Sequence, residues 1–218
     1  MTENAAPTAR RSRFGRALPP SFFDRPTELV ARELLGAVLE CHGPEGTTSG
    51  RVVETEAYLG AHDAACHAVA GHTPRTAPLF GAPGTAYVYL IYGMHWCFNA
   101  VTMPAGHPSA VLVRALEPLD GVALMRRRRP RARRDEDLAS GPAKLCAALG
   151  VGPAHNGIAL DRPPLLLRSG RAVPDDAVEV TPRIGITRAA ELPLRFLVRD
   201  SPHVSRTPPH FFRRAYGG

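Results

Sequence analysis

Apolar and polar positions alternate along residues 51–59, the segment RVVETEAYL. A period of two residues is typical of a strand, because successive side chains of a strand point to opposite faces. The alternation places Glu54, Glu56 and Tyr58 on one face of the predicted strand. Two carboxylates and a phenol therefore share one surface.

The rest of the pattern predicts short helices and further strands. Two strands over residues 85–91 and 95–102, joined at Tyr92-Gly93-Met94, predict a hairpin. Helices are predicted over residues 25–35, 119–128 and 142–149, and strands over residues 37–41, 110–116, 158–160, 165–167, 178–181 and 194–198. The sum is an α+β fold with a mainly antiparallel sheet and a few flanking helices.

Several stretches lack a periodic apolar pattern. Residues 60–84 are rich in histidine, glycine and proline and predict a long loop, the kind of segment that often carries function. Residues 126–137, the charge run RRRRPRARRDED, predict a mobile loop. Residues 1–18 predict a disordered basic arm and residues 207–218 a flexible tail, which leaves residues 19–206 as a single domain.

Composition narrows the class of protein. The chain has 218 residues, a net charge of +7, and 26 arginines among its 27 basic residues. A basic surface attracts nucleic acid, although arginine enrichment also follows from a biased genome composition. No apolar run reaches the ~18 residues of a membrane span, and the N-terminal residues lack the apolar segment of a secretory signal. The four scattered cysteines form no CxxC pair, so we expect a reduced, cytoplasmic protein without a disulfide framework.

The carboxylate face is the first candidate for chemistry. Glu54, Glu56 and Tyr58 lead into a loop that contains His62, His67 and His72. Carboxylate, phenol and imidazole are the groups of general acid–base hydrolysis. One alternative is an edge strand with a solvated polar face. Another is a metal-dependent hydrolase, although the five-residue spacing of the histidines does not place two ligands on one helix face.

Aromatic residues concentrate in the predicted hairpin. Tyr87, Tyr89, Tyr92 and Phe98 are among the six aromatic or imidazole side chains that lie within twelve positions. Some of these belong to an aromatic core, but Tyr92 at the hairpin tip is typical of a side chain that inserts between bases. Arg114 interrupts the apolar strand AVLVRAL, and a buried guanidinium requires an anionic partner, either a carboxylate or a phosphate.

Long motifs along residues 18–206 resemble one known family. These are GRVVETEAYLGAHDAACHA, TPRTAPLFGAPGTAYVYLIYGMHWCFN, VLVRALEPLDG, SGPAKLCAALG and PRIGITRAAELPLRFLVRDSPHVSR. They are similar to those of the alkyladenine (3-methyladenine) DNA glycosylases of the mammalian type. The resemblance implies a single compact domain with a curved antiparallel sheet and a protruding β-hairpin that enters DNA.

The resemblance also implies roles for particular residues. Glu56 would activate the attacking water, with Arg114 beside it. The flipped base would be held by Tyr58, His67, Tyr89 and Asn99, and the surrounding DNA would be contacted by Tyr92, Met94, Thr73, Arg75 and Lys144. No metal or cofactor is implied, and the expected protein is a monomer.

These roles define an expected activity and its alternative. The expected enzyme hydrolyses the N-glycosidic bond of alkylated purines in double-stranded DNA, such as 3-methyladenine and 7-methylguanine, with hypoxanthine and ethenoadenine as further candidates. It would be monofunctional, because a lyase needs an amine nucleophile and the only lysine, Lys144, is better explained as a phosphate contact. The alternative is a non-catalytic module of the same fold that binds damaged DNA. The run over residues 126–134 would either raise nonspecific DNA affinity or form a solvated loop.

Overall fold

Nine strands and four short helices form within residues 13–206, the part of the chain that the computed structural model describes. The helices are α1 (Pro20–Phe23), α2 (Thr27–Glu33), α3 (Val122–Arg128) and α4 (Pro142–Leu149). The strands are β1 (Val38–Gly43), β2 (Gly46–Tyr58), β3 (Ala86–Ile91), β4 (His95–Thr102), β5 (Ser109–Asp120), β6 (Asp161–Arg162), β7 (Leu165–Arg168), β8 (Val178–Thr181) and β9 (Arg195–Val198).

All strand pairs in the sheet are antiparallel. The order is β3-β4-β5-β2-β1-β7-β6, and β9 pairs with both β2 and β8. Strand β2 is central: it pairs with β5 on one side, and on the other with β1 over its first half and β9 over its second half. Register shifts against β5 flank Glu54, and such bulges bend a strand and increase its twist. The predicted α+β class with a curled, antiparallel sheet is confirmed.

Helices α2 and α4 cover the sheet and close the core. Val30 and Ala31 of α2 and Leu145 and Leu149 of α4 are buried against strand residues such as Phe98. Each fully buried aliphatic or aromatic side chain stabilises the fold by roughly 1.5–3 kcal/mol. Because α4 packs on β4 and β5, its N-terminus is fixed beside the strands that carry Asn99 and Arg114.

The predicted hairpin and two other elements match closely. β3 and β4 pair with Ile91 opposite His95, so residues 92–94 form the connection. Helix α4 and strand β8 have the predicted bounds. The predicted helix over residues 119–128 begins later, at Val122, because β5 continues to Asp120 and Gly121 then adopts a φ of 73°.

Two predictions about the second half of the chain were wrong. No strand forms over residues 158–160; Ala159 makes only an isolated bridge to Thr85, and β6 follows at Asp161. The charge run is not a loop throughout, since α3 includes its first three arginines and a 3-10 turn spans Asp135–Asp137.

The described residues include only the last part of the predicted basic arm over residues 1–18, and none of the predicted tail over residues 207–218. Residues 1–12 and 207–218 lie outside the described residues. From residue 13 onward the chain lies against β7: the Leu18 amide donates to the Leu167 carbonyl at 2.8 Å, and Ala17 bridges to Arg168. Leu18 itself is buried in the core.

Candidate active site

A cavity of about 370 Å³ opens between the ends of the central strands, the 60–84 segment and the start of α4. Its size falls within the range of small-molecule sites, about 300–1,000 Å³. Its walls include the aromatic side chains Tyr58, Tyr87, Tyr89 and Tyr92, the imidazoles of His67 and His95, and the polar side chains of Asn99 and Arg114. Residues 184–186 complete the lining from the C-terminal part of the chain.

Glu56 lies directly behind this wall and is fully buried. Its Oε2 accepts hydrogen bonds from the Tyr58 hydroxyl at 2.9 Å and from Arg114 Nη1 at 3.1 Å. Its Oε1 accepts one from the Ile184 amide at 2.8 Å. All three donors belong to residues that line the cavity. Since a carboxylate offers about four acceptor positions, Oε1 can accept one more hydrogen bond.

Glu54 anchors the other side of Arg114. Glu54 Oε1 accepts from Arg114 Nε at 3.0 Å, from Arg195 Nε at 2.7 Å and from the Ser205 hydroxyl at 2.8 Å, while Oε2 accepts from the Ser205 amide at 2.7 Å. Burial raises the pKa of Glu54, but Arg114 and Arg195 more than offset this and hold that pKa below its usual value. Glu54 therefore fixes the Arg114 guanidinium so that Nη1 faces Glu56.

The interpretation of β2 as an edge strand with a solvated face is wrong. Both carboxylates are fully buried, and β2 has neighbours on both sides. The anionic partners required by Arg114 are these two carboxylates.

Two tyrosine rings, those of Tyr87 and Tyr89, lie edge-to-face against the ring of His67. The ring centres of His67 and Tyr89 are 4.4 Å apart in an edge-to-face arrangement, and those of Tyr87 and Tyr89 are 5.3 Å apart with the planes tilted by 35°. The His67 Nδ1 and the Tyr87 hydroxyl are hydrogen-bonded at 2.9 Å. Asn99 lies on β4 beneath them and donates from Nδ2 to the Tyr87 carbonyl at 3.1 Å. The polar atoms of the aromatic wall are thus held in fixed positions.

Burial favours the neutral forms of four side chains in the cavity wall, namely Tyr58, Tyr87, Tyr89 and His67. Burial raises the pKa of Tyr87 to about 12 and raises the pKa values of Tyr58 and Tyr89 well above the usual value of 10. Burial, with a smaller effect of the Arg75 charge, lowers the pKa of His67 from 6.5. Neutral phenols and a neutral imidazole therefore face the cavity at pH 7.

A groove of about 700 Å³ continues from the cavity along the surface. It shares His67 and Tyr92 with the cavity and is also lined by Thr73, Arg75 and Arg188. Tyr92 forms the rim between the two, with its side chain 81% exposed and a φ of 53°. A left-handed backbone is costly for a residue with a side chain, so the exposed ring is held in place against a local preference.

Comparison with known proteins gives an independent finding. Residues 21–202 match the sequence model of the family described as Methylpurine-DNA glycosylase. A Myxococcus xanthus protein named "Putative 3-methyladenine DNA glycosylase" is 54% identical over 196 residues, which cover 88% of this chain and 95% of that protein. Proteins of the same name from Rhodopseudomonas palustris and Methanocella arvoryzae are 50% and 47% identical, covering 89% and 88% of this chain and 93% and 97% of theirs.

The chain belongs to the methylpurine-DNA glycosylase family. The resemblance drawn from the sequence motifs is confirmed, and the class of activity is that of a DNA repair glycosylase, with DNA as its substrate. Within residues 13–206, no helix combines the length and apolar character that crossing a membrane requires.

The structure brings most of the residues implied by the family together. Those that line the cavity are Tyr58, His67, Tyr89, Tyr92, Asn99 and Arg114, with Glu56 bonded to two of them. Thr73 and Arg75 lie in the adjoining groove. Met94 and Lys144 line neither: Met94 is 70% exposed next to the hairpin tip, and Lys144 Nζ lies 3.5 Å from the Ser140 hydroxyl.

The histidines of the 60–84 segment do not converge on a common point. His67 bonds Tyr87, and His72 packs on the ring of Phe80 at 4.9 Å. Over the described part of the chain, no group of three or more histidine, cysteine, aspartate or glutamate side chains could hold a metal ion. The alternative grouping of His62, His67 and His72 as ligands is therefore not supported.

Sequence reasoning missed three contributors to the site. Tyr87 could have been found, because it lies two residues from Tyr89 on a strand and so shares its face. Ile184 acts through its backbone amide, which leaves no side-chain signal. The buried pair of Arg183 and Asp63, behind Tyr58, joins segments 120 residues apart, a separation that no local pattern bridges.

Proposed function

We propose that this chain flips alkylated purines out of duplex DNA into the cavity and hydrolyses their N-glycosidic bond with a water activated by Glu56. The observation that carries the proposal is the pair of hydrogen bonds that Glu56 Oε2 accepts. Tyr58 and Arg114 line the cavity and both bond this one carboxylate oxygen. A base stacked on Tyr58 would place its sugar beside the carboxylate.

The aromatic wall supplies the binding energy for a flipped base. A base that leaves the duplex loses stacking worth a few kcal/mol. Stacking on aromatic side chains returns roughly 1–3 kcal/mol per base. Tyr58, His67 and Tyr89 provide such surfaces within one cavity. Neutral, electron-rich rings also favour a purine made cationic by alkylation, by about 0.5–2 kcal/mol.

The chemistry then needs one base and one negative charge. The water oxygen bonds to C1′ of the sugar, its proton passes to Glu56, and the electrons of the C1′–N bond leave with the purine. An alkylated cationic purine departs as a neutral base, so no acid is required for that lesion class. Arg114 holds the carboxylate in place, and the free acceptor position on Oε1 is where the water would bind.

Tyr92 is proposed to fill the gap that the flipped nucleotide leaves. It is the most exposed large apolar side chain among the described residues and stands at the rim of the cavity. Arg75, Thr73 and Lys144 are proposed contacts to the phosphates around the lesion, with Met94 beside the inserted ring.

Replacing Glu56 with glutamine tests the proposal. Glu56→Gln should lower single-turnover release of 7-methylguanine by about 10²–10⁴-fold, the usual contribution of a general base, and leave lesion-duplex affinity almost unchanged. Glu117→Gln, which removes a partly exposed carboxylate from the same sheet, is the matched control and should keep the full rate. Borohydride should trap no covalent adduct, because Lys144 does not line the cavity.

Each opposing result has a defined meaning. Normal base release by Glu56→Gln would refute the role of this carboxylate. A wild-type chain that binds lesion duplexes but releases no base would identify a damaged-DNA binding module instead. A borohydride adduct lost in Lys144→Ala would refute the monofunctional mechanism.

A further inference from the structure

A second buried ion pair lies behind Tyr58. Arg183 has no solvent exposure and donates from Nη1 to Asp63 Oδ2 at 2.6 Å and from Nη2 to Asp63 Oδ1 at 2.9 Å. Asp63 also accepts hydrogen bonds from the amides of Leu59 and Ala65, both at 3.1 Å. Its carboxylate is therefore fixed from several sides. Arg183 immediately precedes Ile184, whose amide donates to Glu56.

The guanidinium of Arg183 stacks on the Tyr58 ring. Its central carbon lies 4.7 Å from the ring centre. Tyr58 lines the cavity, whereas Arg183 neither lines it nor contacts solvent. The arginine therefore occupies the side of the ring that faces away from the cavity, and a base bound to Tyr58 would occupy the other side.

The buried charges around Tyr58 are balanced. Three arginines, Arg114, Arg183 and Arg195, are 8% exposed or less, and so are three carboxylates, Glu54, Glu56 and Asp63. Each arginine bonds at least one of these carboxylates. Three positive and three negative charges sum to zero. The loss of one carboxylate would leave a net positive charge next to the cavity.

This balance matters for a ligand that carries a positive charge. An uncompensated guanidinium behind Tyr58 would repel a cationic base on the opposite face and leave a neutral base almost unaffected. We propose that Asp63 determines the preference of the cavity for cationic over neutral purines, by neutralising Arg183 behind the stacking ring. The inference rests on the proposed function, because it takes the flipped purine as the occupant of the cavity.

The size of the effect follows from Coulomb's law. A base stacked on the far face of Tyr58 would lie ~8 Å from the Arg183 charge, and at an effective dielectric constant of ~20 the repulsion changes affinity by on the order of ten-fold or more. Burial leaves little room for salt to screen it.

Equilibrium binding to two duplexes tests the inference without relying on catalysis. One duplex carries 2′-fluorinated 7-methylguanosine, a cation that resists hydrolysis, and the other carries 2′-fluorinated inosine, which is neutral. Asp63→Asn should raise the Kd for the cationic duplex about ten-fold relative to the neutral one. Asp63→Glu, which keeps the charge, should leave the ratio of the two Kd values within about two-fold of wild type.

The double variant Asp63→Asn/Arg183→Gln separates charge from structure. It removes both charges and should restore the wild-type ratio, even if both affinities fall. If Asp63→Asn does not fold, Arg183→Gln alone gives the opposite test, because it leaves Asp63 unpaired and should favour the cationic duplex by about ten-fold.

Two results would overturn the inference. One is an equal loss of affinity for both duplexes in Asp63→Asn, which would assign the pair a purely structural role. The other is a shifted ratio that persists in the double variant. Failure of the proposed function is a separate result: the wild-type chain would then release no base from unmodified lesion duplexes, while the ratio of Kd values would still report on the charge balance.

Discussion

Replacing Glu54 with glutamine should destabilise the protein far more than replacing most other carboxylates. The side chain is fully buried and accepts four hydrogen bonds, two from arginines and two from Ser205. Glutamine has the same shape but no charge, and its amide nitrogen cannot accept a hydrogen bond. The change leaves Arg114 with one carboxylate partner and Arg195 with none within the described residues.

The expected loss in the free energy of unfolding can be worked out from the ion pairs of Glu54. Removing one partner of a buried ion pair typically costs about 3–5 kcal/mol, because the remaining charge stays desolvated. Glu56 still neutralises part of the Arg114 charge, so a loss near 3 kcal/mol is expected rather than the upper limit. For a domain stabilised by roughly 5–15 kcal/mol, this is a large fraction of the free energy of unfolding.

Urea unfolding of wild type and Glu54→Gln across a pH series measures this directly. The pKa of Glu54 is lowered in the folded protein from a usual value of 4.5. A lowered folded pKa means that the stabilisation is fully present above pH 4.5 and is lost as the pH falls through the folded value. The difference in free energy between the two proteins should therefore be constant near neutral pH and shrink in acid.

Glu117→Gln is the control for this experiment. Glu117 pairs with Arg51 at 3.3 Å on a partly exposed surface, where an ion pair contributes about 0–1 kcal/mol. A difference below about 1 kcal/mol for Glu54→Gln, or a difference that does not change with pH, would refute the view that this carboxylate anchors the buried arginines.

Two further predictions concern proposed contacts with DNA. Tyr92→Gly should weaken affinity for lesion duplexes by about 1–3 kcal/mol, because it removes the ring that is proposed to insert into DNA. The free energy of unfolding should stay equal or rise, because glycine adopts the left-handed backbone of this position freely. Equal duplex affinity, or a clear loss of stability, would contradict this. Arg127, Arg131 and Arg133 have no ion pair within residues 13–206, whereas Arg126 pairs with Asp135. Replacing those three with serine should reduce the slope of log affinity against log salt by up to about 3 without altering single-turnover base release, and an unchanged slope would assign them to a solvated surface.

Local patterns predicted the elements of this fold well where a single pattern of apolar and polar residues runs through the whole element. The alternation of RVVETEAYL identified the strand that carries Glu54 and Glu56, and the helix predicted over residues 142–149, with Gly150 as its end, coincides with α4. The end of β5 was misplaced because Leu119 and Asp120 suit a helix start as well as a strand, and the left-handed Gly121 decides between them. The short pairing of β6 depends on β7, a tertiary contact that the sequence of residues 158–162 does not report.

Most side chains of the candidate site could be predicted from the sequence, but the hydrogen bonds and ion pairs that join them could not. Six of the residues implied by the family motifs line one cavity, but the burial of Glu56 behind Tyr58 and Arg114 could not be read from spacing. Backbone donors such as the Ile184 amide have no sequence signature. The partner of Arg114 was left open between a carboxylate and a phosphate, because burial alone requires an anion and does not identify it.

The buried charges link the candidate site to the stability of the whole fold. Glu56 and Glu54 stand on one strand, Arg114 on its neighbour, and the Ile184 and Ser205 amides come from segments well over 100 residues away. None of these charges could remain in the interior without its partners, so the segments must dock together or not at all. Flipping a base requires a slot that is already formed, since the nucleotide brings only stacking energy to offset its own extrusion. A network that fails cooperatively would keep the cavity intact until the domain unfolds, and it holds the buried Glu56 carboxylate against Tyr58 and Arg114, two residues of the cavity wall.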